Sequence, residues 1–268
     1  MLGEPGLVIT HGNGPQVGNE LLRQERAAKE APPLPLWLAV AQTQAEIGAL
    51  ISAELRPALD AREPACMLTH VRVAADDPGF DLPTKPIGPF YSEEEAEQLE
   101  RDRGWAMVSD ANRGHRRVVP SPAPLEIVEL DVIRHLAEGN AVVIACGGGG
   151  IPVVRRGGRL AGVDAVIDKD SASALLARGL EAERLLILTE VPAVYRRFGD
   201  PGQEEIRELS LAEAEQLLPE LAEGSMRPKV EAALSFGGET LITNFDALDD
   251  ALAGRAGTRV GPERRGPQ

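Results

Sequence analysis

The chain has 268 residues, 42 of them acidic and 28 basic, for a formal net charge of −14. That length allows one large α/β domain or two small ones. An apolar fraction of 43% and a charged fraction of 26% fit a soluble globular protein with an ordinary core, and an acidic balance with no basic run argues against nucleic acid or an anionic membrane as the main partner.

No stretch of about 18 apolar residues suggests a transmembrane helix. The opening Met1-Leu2-Gly3-Glu4-Pro5 lacks the basic start and apolar run of a signal peptide. Two cysteines, Cys66 and Cys146, are too few for a disulfide framework or a cysteine-rich zinc site, so a reducing cytoplasm is expected.

In chain order, Leu7–Thr10 is a short apolar run that stops at His11-Gly12-Asn13-Gly14. Helices are predicted over Gln16–Lys29 and Leu38–Leu55, and a strand over Cys66–Thr69. Residues Asp76–Arg117 are rich in Pro, Gly and charge and read as an inserted lobe. A helix over Leu125–Glu138 precedes a buried-type strand, Ala141–Ala145, which runs into Gly147–Gly150. A short helix over Ser171–Arg178 is followed by strands at Leu185–Thr189 and Thr240–Thr243. Gly261–Gln268 reads as a frayed polar tail. Short continuous apolar strands separated by helices predict a parallel sheet covered on both faces.

Ligands of such sheets bind beyond the carboxyl ends of the strands. Two glycine-rich loops lie there, His11–Gly14 and Gly147–Gly150. Glycine lets backbone N–H groups approach an anion, and a following helix N-terminus adds a favourable partial charge. The plain alternative is tight turning between strand and helix. Neither loop is a Walker A sequence or a clean dinucleotide fingerprint.

Only four of the 28 basic residues are lysine: Lys29, Lys85, Lys169 and Lys229. A compact ammonium is a different tool from a broad guanidinium. Lys169 sits in Asp168-Lys169-Asp170 at the start of a predicted helix. Lys229 follows Pro228, which suits a first helical position. A cation at that end is disfavoured by about 0.3–1 kcal/mol, and a bound polyphosphate would reverse the sign. Local pairing with the aspartates is the simpler reading of Lys169, as a solvated side chain is of Lys229. Asp170 would serve either as helix N-cap or as the holder of an ammonium group. His11 is read as structural and Cys146 as a small buried packing residue.

Several longer motifs resemble the carbamate kinase family. They are Ile9–Gly18, Gln42-Thr43-Gln44 with Ile47-Gly48, and Pro83–Tyr91. They continue through Arg116–Pro122, Gly147–Pro152, Gly162–Asp170, Thr189–Tyr195, Gly224–Val230 and Gly257-Thr258. The resemblance covers almost the whole chain in order. It implies the amino acid kinase fold, a three-layer α/β/α sandwich with a mainly parallel central sheet and a small protruding subdomain, the lobe at 76–117. It also implies a homodimer. The activity it implies is phosphoryl transfer between ATP and carbamate, giving ADP and carbamoyl phosphate, as in arginine breakdown.

By matching motifs, Lys169 and Lys229 would contact the transferring and terminal phosphates, with Asp170 orienting the lysines. Gly12, Asn13 and Gly14 would line the carbamate site, Gly147, Gly148 and Gly149 would lie beside the phosphates, and Lys85 and Arg116 or Arg117 would bring positive charge from the lobe. Asp168, Thr189, Glu190, Val191, Tyr195, Ser225 and Met226 would border the nucleotide. Carbamate is already an oxyanion nucleophile, so no strong general base is required, and the site must bring two anions together and stabilise charge on the equatorial oxygens. Mg2+ is expected to ride on the nucleotide, without a dedicated protein cage.

Relatives of this kind open with a strand, a Gly-Gly-Asn loop and a helix that this sequence lacks, about 30–45 residues by the usual unit length. The intact later motifs favour a start assigned too far downstream; a truly short chain would be weakly active and poorly stable. Two other readings compete. One is a sister kinase acting on another acid or phosphate, such as acetylglutamate or uridylate, against which the Pro83–Tyr91 motif argues. The other is a catalytically silent nucleotide-binding homologue.

Overall fold

The computed structural model describes residues 3–109, 113–222 and 224–263. The chain divides into two compact units, 1–172 and 173–268. In the first, β1 (Val8–Ile9) leads into α1 (Gly14–Ala27) and α2 (Leu36–Leu55), followed by β2 (Pro64–Cys66) and β3 (His70–Arg72). Then come β4 (Lys85–Tyr91), α3 (Glu93–Arg103), β5 (Ala106–Ser109) and β6 (His115–Val119). The unit continues with β7 (Glu126–Ile127), α4 (Leu130–Glu138), β8 (Val142–Ile144), β9 (Ile151–Arg156), β10 (Arg159–Gly162) and the start of α5 (Lys169–Gly179).

The strand β8 is Val-Val-Ile and wholly buried. It pairs in parallel with β1 on one side and β2 on the other, and α2 and α4 pack against it. A second sheet has the order β10-β9-β3-β7, with β3 and β9 parallel. The strands β4, β6 and β5 form an antiparallel sheet in the order β4-β6-β5, with α3 against it. Local chemistry fixes α3 at both ends. Ser92 and Glu95 make a capping box, three glutamates fill the first turn, and Gly104 closes the helix in the left-handed region at φ 64, as helix ends favour.

The base of this lobe is not separate from the unit. Ile87 of β4 and Val119 of β6 share a buried cluster with Val17 of α1 and with Leu36 and Val40 of α2. Burying a side chain of Ile87's size contributes about 1.5–3 kcal/mol. Gly18 of α1 and Gly88 of β4 touch backbone to backbone, so a Cβ on Gly18 would overlap the other chain segment.

The second unit contains β11 (Arg184–Leu188), β12 (Val194–Arg196), β13 (Glu204–Ile206), β14 (Glu208–Ser210), α6 (Leu211–Leu217), α7 (Met226–Phe236), β15 (Glu239–Thr243), α8 (Leu248–Leu252) and β16 (Thr258–Gly261). Its main sheet runs β11-β15-β16-β14, with β11–β15 and β14–β16 parallel and β15–β16 antiparallel. Its core joins Leu209, Leu217, Val230, Ile242 and Val260.

Several boundaries differ from expectation. The first half of the predicted Leu125–Glu138 helix holds the two-residue strand β7, which pairs with β3, and the helix starts at Leu130. The helix α5 begins at Lys169, two residues early, and α7 begins at Met226, ahead of Pro228. Of the expected polar tail, Gly261 ends β16 and residues 264–268 lie outside the described residues. Among the described residues no helix is long and apolar enough to cross a membrane.

Candidate active site

Where β8 ends, the chain makes a tight turn through Cys146 and Gly147–Gly150. Cys146 is left-handed at φ 50, and Gly148 at φ 65. Glycine is required at 148 for a second reason, because a Cβ there would overlap the Asn13 side chain. The N–H groups of Gly148, Gly149 and Gly150 donate to the carbonyls of His11 (2.6 Å), Cys146 (3.0 Å) and Gly147 (3.0 Å). These three amides are therefore committed within the protein, and the expectation that they turn toward an anion is corrected. The turn is needed for its shape.

Two polar side chains on the otherwise apolar face of α2 hold this turn. The buried Gln44 donates to the Gly147 carbonyl (2.9 Å) and accepts from the Thr69 N–H (2.6 Å). Thr69 in turn accepts from the Cys146 N–H (3.0 Å). Thr43 accepts from the Asn13 amide at 3.0 Å, which draws that side chain inward. In consequence no side-chain oxygen caps α1, whose first turn carries no acid. That helix end keeps its positive partial charge. The His11 ring lies against Gly147. Burial outweighs its contact with the Gly12 carbonyl and holds its imidazole below the ordinary value, which favours the neutral ring. Burial likewise pushes the Cys146 thiol far up, leaving an inert packing group.

Beside this floor lies the start of α5. A Cβ at Gly12 would sit 3.2 Å from Cδ of Lys169, so the absence of a side chain at 12 makes room for the lysine stem. Lys169 Nζ lies 3.1 Å from Oδ1 of the buried Asp170. The helix cap is Asp168, not Asp170. Its Oδ1 accepts from the N–H groups of Asp170 (2.9 Å) and Ser171 (3.0 Å). Its Oδ2 accepts from Nζ of Lys85 at 2.6 Å. Burial alone would raise the Asp168 carboxyl. The Lys85 ammonium and the two N–H groups overrule it and hold the group below the usual carboxylate range.

The structure thus gathers Gly12, Asn13, Gly148, Lys85, Asp168, Lys169 and Asp170. It places Arg117 elsewhere. That guanidinium stacks on Trp105, 4.2 Å from the ring centroid, and lies 3.9 Å from Glu25 of α1. Arg103 also lies over the Trp105 ring (5.2 Å) and pairs with Glu25. Arg116 covers Phe90 and donates to the Gly88 carbonyl. These arginines brace the lobe. The bracing partners Glu25 and Trp105, and the holders Thr43, Gln44 and Thr69, were not among the candidate residues. Two polar side chains together in an apolar helix were the available signal for Thr43 and Gln44.

In the second unit, Thr189 follows β11 and its N–H donates to the Thr243 carbonyl at 2.8 Å. Glu190 is exposed and Val191 half-buried in the turn that follows. Tyr195 of β12 lies 5.8 Å from Phe198, ring to ring. The buried Thr258 accepts from the Val194 N–H at 2.8 Å, which gives the Gly257-Thr258 motif its role. Ser225 is exposed just ahead of α7 and makes no side-chain cap. Met226 packs on the core. Lys229 Nζ reaches back to the Ser225 carbonyl at 3.3 Å. No acid lies in the first turn of α7, so this end too is electropositive. Among the described residues no group of three or more His, Cys, Asp or Glu side chains is placed to hold a metal ion.

Residues 3–240 match the amino acid kinase family, and the chain belongs to that family. Within it, similar relatives include carbamate kinases. The carbamate kinase of Halobacterium salinarum is 48% identical over 262 residues, covering 96% of this chain and 85% of the relative. The carbamate kinase of Giardia lamblia bound to citric acid superposes with a TM-score of 0.89 at 41% identity, covering 96% of this chain and 84% of that one. The same enzyme bound to AMP-PNP gives a TM-score of 0.83 at 42% identity, with coverage of 96% and 84%.

Proposed function

We propose that this chain is a carbamate kinase, transferring a phosphoryl group between ATP and carbamate. The observation that carries the reading is the pair of ammonium groups, Lys85 and Lys169, held by Asp168 and Asp170 at one helix start beside Gly12. Lysines are scarce in this chain, and the anchoring of two of its four at this one helix start supports the reading. In the ATP-forming direction, a terminal oxygen of ADP attacks the phosphorus of carbamoyl phosphate. The bond from phosphorus to the carbamate oxygen breaks, and carbamate leaves with the electron pair. No proton need move. The chain's task is to hold two anions together and neutralise the charge that spreads over the oxygens in flight.

Lys169 is assigned to the phosphoryl group, Lys85 to the carbamoyl side, and the uncapped start of α1 at Gly12–Gly14 to the carbamate oxygens. Lys229, with Ser225 and Met226, is assigned to the nucleotide phosphates, and Thr189, Glu190, Val191 and Tyr195 to the rest of the nucleotide. Mg2+ enters with the nucleotide as part of the substrate; Asp168 and Asp170 are each already paired with an ammonium group. A homodimer serving arginine breakdown completes the reading and rests on the family resemblance; the expectation of a reducing cytoplasm rests on the two cysteines.

The test is ATP formation from ADP and carbamoyl phosphate, with acetyl phosphate, acetylglutamyl phosphate and UDP as competing substrates. ATP made with carbamoyl phosphate at the highest kcat/KM is expected. No ATP, or a preference for another donor, would overturn the reading. Sedimentation should give twice the chain mass.

A further inference from the structure

Asp168 does two jobs with two oxygens, and they connect parts of the chain 83 residues apart. Oδ1 closes the N-terminus of α5, whose next residues are Lys169 and Asp170. Oδ2 holds the ammonium of Lys85, the first residue of the lobe strand β4. Lys85 would be a poor residue to leave alone there. Its four-carbon stem is flexible, and the helix end it faces carries the same sign of partial charge. The carboxylate removes that conflict, and both partners are about three-quarters shielded from water (side-chain exposure 28% and 24%), so the pair is less screened than a surface one. The backbone beside it is pinned as well. The Thr84 N–H donates to the Val119 carbonyl (3.2 Å) and the Val166 N–H to the Pro120 carbonyl (2.9 Å).

We infer that Asp168 is a positioning residue: it fixes the lobe's Lys85 against the helix start that carries Lys169 and Asp170, and does not itself bind the nucleotide. The inference rests on the proposed phosphoryl transfer and names a new role within it. Carbamoyl phosphate would then meet an ammonium already in place, and affinity for it would depend on Asp168 through Lys85.

Asp168→Asn keeps an oxygen to cap α5, since Asn and Asp are comparable N-caps, but puts an uncharged group opposite Lys85. The expected result is a rise of about ten-fold in KM for carbamoyl phosphate, the loss of one charge-assisted contact, with KM for ADP changed less than two-fold and the native fold retained by circular dichroism. Lys85→Met should show the same split. The double variant should be no worse than Lys85→Met alone, because the two act as one unit. Asp168→Glu, which restores the charge, should recover most of the lost affinity. Effects of Asp168→Asn and Lys85→Met that multiply, a shift in KM for ADP instead, or a fall in KM for carbamoyl phosphate would each overturn the inference. Should Asp168→Asn not fold, Asp168→Glu against Lys85→Met decides it, a Glu variant with the full Lys85→Met defect counting against. A wild-type protein that makes no ATP would remove the proposed function and this inference together; an active wild type with multiplying effects would remove this inference alone.

Discussion

Around Gly148 the chain is fixed by neutral, buried groups: the amides of Gln44 and Asn13, the hydroxyls of Thr43 and Thr69, and the carbonyls that accept from the N–H groups of Gly148, Gly149 and Gly150. Around Trp105, in the lobe of the same unit, charged and partly exposed groups do the holding. Two arginines lie over one indole, and Glu25 of the neighbouring helix pairs with both. Buried neutral networks tolerate little change, because an orphaned group has no water to turn to. Exposed ion pairs and cation–π stacks contribute about 1 kcal/mol or less each and exchange readily. The floor of the site is thus the rigid half, and the outer part of the lobe around Trp105 is the adjustable half.

The largest expected effect concerns the charge that the rigid floor supports. Lys169→Ala should lower the rate of ATP formation by roughly 10²–10³-fold, with the far-ultraviolet circular dichroism unchanged; a loss under ten-fold would mean that the floor presents some other group. Next is the floor itself. Gly148→Ala places a methyl in the space of the Asn13 side chain at a left-handed φ, and a destabilisation of about 1–3 kcal/mol in urea is expected. A neutral outcome would show that the turn yields, contrary to the contrast drawn here.

Smaller changes are expected in the lobe. The chain has two tryptophans, so Trp37→Phe leaves Trp105 as the sole indole reporter. In that background Glu25→Gln should shift the emission to the red while moving stability by less than about 1 kcal/mol. Unchanged emission would mean that Glu25 does not brace the stack.

The smallest effect distinguishes two histidines. A hydrogen bond to Glu129, 2.8 Å from Nδ1, holds the His70 imidazole above its ordinary value, whereas burial holds His11 below it. A raised value contributes stability that is fully present below the unfolded pKa of about 6.5 and fades as pH rises through the folded value. Glu129→Gln should therefore cost more stability at pH 5.5 than at pH 8.5, by chemical denaturation at each pH. An equal loss at both would exclude the charge as its cause.

The buried strands and longer helices around the glycine loops were legible because continuous apolar runs and glycine stops mark them, as at Val142–Ile144 and Gly147, whereas the short strands of the lobe and of the second unit were not, and the strand expected at Cys66–Thr69 lies instead at Pro64–Cys66 and His70–Arg72. The strand β7 was not legible either, since two residues, Glu126 and Ile127, carry no period; their pairing with β3 is decided by tertiary contact. The glycine loops were legible as loops, but the direction of their N–H groups depends on which carbonyls, His11 among them, come near after folding. In Asp168-Lys169-Asp170 either aspartate can cap a helix by sequence. The register of α5 decides for Asp168, which alone precedes the first N–H groups of the helix. Arg117 was read as a substrate ligand because a cation in a lobe motif suggests an anion. Its true partners, Trp105 and Glu25, are 12 and 92 residues away, and no local pattern joins them.

The contact between Gly18 and Gly88 bears on how this protein can vary. Where two main chains abut with no side chain between them, a replacement of Gly18 acts as a wedge that must push α1 and β4 apart even for a single methyl, while at Gly88 the left-handed φ of 73 resists a side chain. The lobe can then be re-tailored at its tip, in α3 or β5, far more freely than along this seam, and mutational tolerance should fall off steeply from the outer edge of the lobe toward these two glycines.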